Sequence, residues 1–380
     1  MRGIYVHIPF CRRRCLYCDF FSVGSMKADW SGYVSALIAE AKAKITPFSG
    51  RQTLYFGGGT PSLMPREEFK RLSQCLLDLT GPVGEFTIEV NPDDVTPELA
   101  QVWKESGVNR ISMGVQSMAD DELRAIGRRH DSEGARKAYE ILSPVFDNIS
   151  LDIIFGLPGQ TLDSLEYSLD EILKLRPSHI SAYSLMYEER SALTRLRDSG
   201  KLKETTEYES FKMFETITGS LKQAGYRQYE ISNFALPGFE SRHNSLYWAG
   251  HPYIGLGAGA HEYDGYKTRR HNLEDIKNYM AFWNVGDSET IGKLSNQDIV
   301  ETETLGDDEL REEFIMTRLR TARGIDLEDF ERRFGPEERG KLMKRAKRYA
   351  ETGDVRLSTD NLALTEKGFF ISDDIMSSLF

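Results

Sequence analysis

Short stretches rich in Ile, Val, Phe and Tyr recur through the first half of this 380-residue chain, separated by longer segments with helical spacing. Residues 2–8, 52–56, 85–90, 109–115, 149–155 and 179–186 read as strands. Residues 29–44 read as a helix, with Trp30, Tyr33, Val34, Leu37, Ile38 and Ala41 at helical spacing, and 66–79 and 97–106 read likewise. Strands that alternate with helices require right-handed crossovers and a parallel sheet. Six such units predict an α/β fold built on an incomplete (β/α)6 TIM-like barrel. The strands end in glycine, proline or polar residues: Gly57-Gly58-Gly59-Thr60-Pro61, Asn91-Pro92, Gln116-Ser117 and Gly156-Leu157-Pro158-Gly159. Barrels of this kind carry their chemistry at the C-terminal ends of the strands, so these ends should converge on one mouth.

The loop after the first strand holds the most specific chemistry. It runs Tyr5-Val-His-Ile-Pro-Phe-Cys11-Arg-Arg-Arg-Cys15-Leu-Tyr17-Cys18-Asp-Phe20, with the cysteines separated by three and then two residues. Thiolates are soft ligands that select iron–sulfur clusters or zinc over hard cations. Three of them can hold three irons of a four-iron cluster and leave the fourth open. S-adenosylmethionine could chelate such an iron through its amine and carboxylate. Zinc on three cysteines plus His7 is a competing reading, although structural zinc sites draw their ligands from separate knuckles. A disulfide with a spare thiol is disfavoured, because the opening Met-Arg-Gly-Ile-Tyr-Val-His has no apolar signal-peptide core and a reducing cytoplasm is expected. Cys75 shares one helical side with Leu72, Leu76 and Leu79 and reads as a buried core thiol.

Hydrophobic content of 40% and charged content of 28% suit a soluble globular protein. No apolar run approaches the roughly 20 residues that span a bilayer, so any membrane contact would be peripheral. The net charge of −11 argues against nucleic acid, whose phosphates call for clustered Lys and Arg. Arg12-Arg13-Arg14 is a local exception, read either as a solvated loop face or as a positive collar for an anionic cofactor, substrate or electron donor. From about Asp307 charged helical segments (308–322, 327–334 and 336–351) precede a hairpin around Asp360-Asn361. They predict a small winged-helix-like α+β domain capping the barrel, with the chain divided into 1–285 and 286–380. The run Gly255-Leu-Gly257-Ala-Gly259-Ala-His261 opens no clear helix and is therefore no phosphate loop; a tight turn under the barrel is expected.

The spacing Cys11-x3-Cys15-x2-Cys18, with Tyr17 before the last cysteine, resembles the radical S-adenosylmethionine superfamily. The lead-in Tyr5-x-His-Ile-Pro-Phe-Cys resembles its oxygen-independent coproporphyrinogen oxidase branch, and the resemblance extends over essentially the whole chain. It implies a 4Fe-4S cluster on Cys11, Cys15 and Cys18 with S-adenosylmethionine on the open iron. It also implies S-adenosylmethionine contacts at Gly58, Gly59 and Thr60, where glycines would let the backbone approach the ligand. Glu89, Gln116, Arg128 and Asp152 match further family positions, Arg128 as a carboxylate fork and Asp152 as an acceptor from ribose hydroxyls. Tyr5 and Tyr17 would flank the cluster. Structural roles compete at three of these: a pairing of Glu89 with a barrel arginine, a surface charge at Arg128, a loop cap at Asp152.

Oxidases of this branch carry a fourth cysteine two residues after the third, and a long N-terminal extension. Phe20 stands at that place here, and ten residues precede Cys11. Both departures point to a sister group of heme chaperones, which share Cys-x3-Cys-x2-Cys-Asp-Phe and a His-Asn-x-x-Tyr-Trp motif. His243-Asn244-Ser245-Leu246-Tyr247-Trp248 matches that motif. The resemblance implies heme as cargo, a heme-acceptor protein, and an electron donor for the cluster. It makes His243 the candidate heme ligand, since imidazole commonly ligates heme iron; the alternative is that His243 and Asn244 anchor a loop and Trp248 fills core. Heme chaperoning is thus the expected function, and oxidative decarboxylation of coproporphyrinogen III its rival.

Overall fold

A side-chain period of two gives each of the first six long strands one mainly apolar and one mainly polar face. In β1 (Arg2–Ile8), Ile4, Val6 and Ile8 are fully buried on one side, while Tyr5 and His7 lie on the other. In β2 (Gln52–Gly58), Leu54 and Phe56 alternate with Thr53 and Tyr55. Phe56 packs edge-on against Phe69 of the helix Arg66–Thr80, with ring centroids 5.5 Å apart, so the apolar face is the one covered by helices. The pattern repeats in β3 (Glu85–Val90), β4 (Arg110–Gln116), β5 (Ile149–Phe155) and β6 (His179–Ser184). Their polar faces carry Glu85, Thr87 and Glu89, then Arg110 and Ser112, then Ser150 and Asp152, then His179 and Ser181. Burying so much polar surface is tolerable only when it is hydrogen-bonded, and cross-strand pairs such as Ser112 to Asp152 (2.8 Å) and Ser150 to His179 (2.8 Å) meet that need.

The computed structural model describes residues 1–284 and 295–380; the domain boundary expected at 285/286 lies outside the described residues. Strands β1 to β6 pair in parallel, each beside the next in sequence. The predicted six-unit barrel gains a seventh parallel strand, β7 (Tyr253–Leu256), on the free edge of β1, with Gly255 opposite Tyr5. Antiparallel strands β8 (His261–Tyr263), β9 (Thr268–Asn272) and β10 (Val300–Thr304) extend that edge. Asn233–Ala235 and Arg227–Gln228 finish the other, and among the described residues the two edges do not meet.

Two expectations are corrected. The glycine run does turn, over residues 257–259, but at the mouth and not under the barrel, because Gly255 and Leu256 end β7 beside Tyr5 and Val6. At Gly257 (φ +100°) a Cβ would lie 2.6 Å from the His7 carbonyl oxygen and 2.7 Å from the Tyr33 hydroxyl, so close packing behind the cysteine loop explains that glycine. Cys75 is half-buried, because the side of its helix that faces the sheet is centred on Leu72 and Leu76 and leaves position 75 at the rim.

The C-terminal region contains helices Asp307–Leu319, Leu327–Phe334 and Pro336–Glu351. A three-stranded antiparallel sheet of Ile325–Asp326, Asn361–Leu364 and Val355–Leu357 follows the predicted hairpin. Helices Glu366–Phe370 and Ser372–Leu379 close the chain. Arg318 ties this region to the barrel by donating to the carbonyls of Trp248 and Ala249, the latter at 2.7 Å, at the end of the helix Arg242–Trp248. No helix among the described residues is long and apolar enough to cross a membrane.

Candidate functional site

The cysteine loop leaves β1 at Phe10–Cys11, which pairs with Val23–Gly24, so the loop closes over the C-terminal end of the first strand. Gly59 donates its N–H to the Ile8 carbonyl (2.8 Å), and Cys11 Sγ lies 3.3 Å from Thr60 Oγ1. Leu16 is held between the carbonyl of Ile126 (3.0 Å) and the N–H of Leu193 (2.8 Å). Cys11, Cys15 and Cys18 are partly buried, and burial pushes the Cys11 thiol up and the Cys18 thiol up to about 11. Tyr17 is raised by burial and stands beside Cys15. Arg14 donates to the Cys18 carbonyl at 3.1 Å, whereas Arg12 sits 3.9 Å from Asp94.

Arg128 binds this loop to the sheet. Its guanidinium reaches Cys15 Sγ (3.5 Å), Asn91 Oδ1 (2.6 Å) and the Gly114 carbonyl (2.5 Å), while its buried Nε has no partner among the described residues. Asn91 in turn donates to Thr60 Oγ1 at 3.4 Å. Gln116 ends β4 with φ +69°, where the register against β5 shifts, and such left-handed conformations in non-glycine residues cluster at functional sites. Glu89 accepts from the Tyr55 hydroxyl (2.8 Å) and the Gly58 N–H (3.0 Å), and burial raises its pKa to about 7. Asp152, opposite Gly114, accepts from three serine hydroxyls, Ser112, Ser150 and Ser181, at 2.8, 2.9 and 2.6 Å. Tyr5 is hydrogen-bonded to His7 Nδ1 (3.0 Å), and the other ring nitrogen of His7 faces the Phe21 carbonyl (2.9 Å).

The structure therefore gathers Tyr5, Cys11, Cys15, Tyr17, Cys18, Gly58, Gly59, Thr60, Glu89, Gln116 and Arg128 around the C-terminal halves of β1 to β4, with Asp152 on the neighbouring β5. The glycines have a second reason to be glycine. A Cβ at Gly57 would come within 3.0 Å of Tyr5 and Glu89, one at Gly58 within 2.5 Å of the His7 ring, and one at Gly59 within 2.8 Å of the Ile8 carbonyl oxygen. Asn91 and the three serines around Asp152 went unread in the sequence, although Asn91 stands at a strand end that marks the mouth. Three thiols on one loop, with a buried guanidinium nitrogen left unpartnered beside them, are a donor set that fits an iron–sulfur cluster carrying an anionic ligand.

His243 lies elsewhere. It is 1% exposed, at the opposite end of the strands, beneath Gly3 and beside the first residues of β2 and β3. Glu85 accepts from the backbone N–H groups of Arg242 (2.9 Å) and His243 (2.8 Å) and so fastens the start of their helix. Both imidazole nitrogens are engaged, Nδ1 with Thr53 Oγ1 and Nε2 with the Tyr247 hydroxyl, each at 2.7 Å. The ring stacks on Tyr55 at 4.9 Å, and burial followed by the nearby Arg110 charge lowers its pKa to about 3. The imidazole expected to ligate heme is thus packed in the barrel floor with both nitrogens hydrogen-bonded.

The chain is similar to known proteins along its whole length. Residues 5–172 match the radical SAM superfamily model, and residues 305–371 match the HemN C-terminal domain. Heme chaperone HemW of Bacillus subtilis is 35% identical, with 100% of this chain and 99% of that protein covered. Heme chaperone HemW of Mycobacterium tuberculosis is 32% identical over 99% of this chain and 94% of its own. The solved structure of coproporphyrinogen III oxidase (HemN) from Escherichia coli superposes with a TM-score of 0.81 at 21% identity, covering 100% of this chain and 89% of that one, a likeness of fold. Similar from end to end to two proteins of that name, the chain belongs to the HemW heme-chaperone family.

Proposed function

We propose that this protein is a heme chaperone that binds heme and passes it to an acceptor protein, while Cys11, Cys15 and Cys18 hold a 4Fe-4S cluster with exchangeable S-adenosylmethionine on the open iron. The observation that carries the reading is the match to HemW proteins along the full chain. Phe20, 69% exposed where the oxidases carry a further cysteine, supports it against porphyrinogen decarboxylation. Bound S-adenosylmethionine would supply adenosyl-radical chemistry when the cluster donates an electron. The protein's own residues bind and position it: Arg128 has a free buried N–H for its carboxylate, Glu89 and Asp152 line the polar face as acceptors, and Gly58, Gly59, Thr60, Gln116, Tyr5 and Tyr17 border the space. A cytoplasmic setting and an electron-donor protein belong to the same reading. It is tested on anaerobically purified protein by hemin titration alongside coproporphyrinogen turnover with reductant and S-adenosylmethionine. Saturable hemin binding without turnover is the expected result, and turnover without heme retention overturns it. Replacing any of the three cysteines by alanine should abolish the cluster's visible absorbance; an unchanged spectrum sinks the cluster assignment.

A further inference from the structure

Strand β4 ends in a turn that an unaided glutamine would avoid. Gln116 stands at φ +69°, and the Ser117 N–H donates back to the Val115 carbonyl at 2.9 Å. A hydrogen bond that spans one residue of positive φ makes a γ-turn of the rare, strained kind. A side chain kept in such a conformation needs surroundings that over-determine it. The turn has a result at the mouth. It brings the Gln116 carboxamide back over Gly114, where a Cβ would lie 2.7 Å from Gln116 Nε2 and 3.3 Å from Arg128 Nη2. The two side chains thus meet over one glycine, with Arg128 continuing to Cys15.

His130 holds one end of this turn. It lies in the connection between the helices Asp120–Ala125 and Ser132–Leu142 and is 5% exposed. Its Nε2 is 3.0 Å from the Val115 carbonyl oxygen, which can only accept, so the ring proton is on Nε2. Burial, and then the Arg128 charge, lowers the imidazole pKa to about 4, which leaves the ring neutral with that single N–H. Nδ1 is buried and has no partner among the described residues. An orphaned buried acceptor costs stability, so this imidazole suits donation to Val115 better than it suits packing.

The neighbours of His130 are tied down as well. Arg128 donates to the Gly114 carbonyl, Arg129 pairs with Asp93 (3.4 Å) and Asp94 (3.3 Å), and Asp131 caps the next helix by accepting from the Gly134 N–H (2.8 Å). The connection therefore grips successive carbonyls of β4, those of Gly114 and Val115, from a fixed base. Ser117 secures the other end of the turn, where its hydroxyl donates to the buried Glu122 at 2.6 Å.

We propose that His130 is a positioning residue: its Nε2–H fixes the Val115 carbonyl, and with it the turn that sets Gln116 beside Arg128, so that the pair can grip S-adenosylmethionine. The proposal rests on the cluster and S-adenosylmethionine reading above. The test uses full-length protein whose cluster has been reconstituted anaerobically. Iron content, S-adenosylmethionine affinity by equilibrium dialysis, and the electron paramagnetic resonance of the reduced cluster with and without S-adenosylmethionine are measured. His130→Leu keeps apolar bulk and removes the donor, whereas His130→Gln keeps an N–H at the ε position. His130→Leu should hold wild-type iron and bind S-adenosylmethionine about tenfold more weakly, the factor set by one lost buried hydrogen bond. Its resonance should respond less to a concentration that saturates the wild type. His130→Gln should recover most of the affinity, which bulk packing alone would not give. Ser117→Ala frees the other end of the turn and should weaken binding likewise; it decides the question if His130→Leu does not fold. Wild-type affinity in His130→Leu or in Ser117→Ala overturns the clamp, and His130→Gln as weak as His130→Leu overturns the part of the Nε2 donor. A folded His130→Leu chain that loses its iron places the residue with the cluster loop and overturns the proposal too. A wild type that holds a full cluster and binds no S-adenosylmethionine overturns instead the reading on which the proposal rests.

Discussion

Replacing His243 with alanine separates a structural imidazole from a heme ligand. The substitution orphans the buried hydroxyls of Thr53 and Tyr247, which each lie 2.7 Å from a ring nitrogen. Each orphan costs about 1–3 kcal/mol, and the void under Tyr55 adds to this, so a loss of about 3–5 kcal/mol is expected at neutral pH. The loss should depend on pH in a calculable direction. The folded imidazole titrates at about 3 and the unfolded one at about 6.5, so on acidification the unfolded state takes up the proton first. Wild type therefore loses this contribution as pH falls from 6.5 towards 3, and the alanine variant has none to lose. The stability gap should narrow by about 1.4 kcal/mol for each pH unit below 6.5, or about 2 kcal/mol by pH 5. Denaturant titrations at neutral pH and about pH 5, followed by circular dichroism, measure it. An unchanged midpoint at neutral pH, or a gap of constant size, refutes the packed, hydrogen-bonded ring. Hemin titration of the variant that remains folded, set beside these midpoints, separates a purely structural imidazole, with hemin binding unchanged, from one that also serves heme, with binding lost.

Three further outcomes follow from the geometry. Asp152→Ala leaves three serine hydroxyls without their acceptor and should cost about 3 kcal/mol in denaturant stability, whereas Asp152→Asn, which keeps an acceptor oxygen, should cost about 1 kcal/mol. Gly59→Ala places a Cβ within 3.0 Å of backbone atoms of Ile8, Pro9 and Phe10, so it should displace the entry to the cysteine loop and lower the iron content of reconstituted protein; full iron content at wild-type stability would contradict the packing. Cys75 is half-buried at a helix rim, so Cys75→Ala should change stability by less than about 1 kcal/mol and leave the cluster spectrum intact, and alkylation kinetics should show a slowly reactive but accessible thiol.

Periodicity and punctuation made most of the barrel legible: β3 and β5 fall where the Ile, Val and Phe runs placed them, and glycine or polar residues mark the mouth. The cysteine loop was legible because its spacing has few chemical uses. What escaped was long-range. Nothing local announces that Tyr253–Leu256 will lie beside β1, since Gly255 and Gly257 weaken the strand signal there and matter only through His7 and Tyr33. His243 was legible as a motif residue, but its burial and its two engaged nitrogens were not, because a motif gives residue types without saying which way a ring nitrogen is bonded. Asp152 was found, but its three serines were not, because Ser112, Ser150 and Ser181 meet only once three strands have been aligned in register.

The placement of β7 also orders events on a growing chain. Gly3 cannot meet Tyr253, nor Val6 meet Leu256, until the ribosome has delivered the latter. Until then β1 pairs on one edge only, and the back of the cysteine loop lacks Gly257 and Gly259, the latter packed against Phe21. Contacts so distant in sequence form late and expose an unpaired edge in the meantime. The packing behind the cysteine loop is thereby tied to delivery of residues 253–259: products truncated before them lack the buttress, so the last parallel strand and a supported loop arrive together.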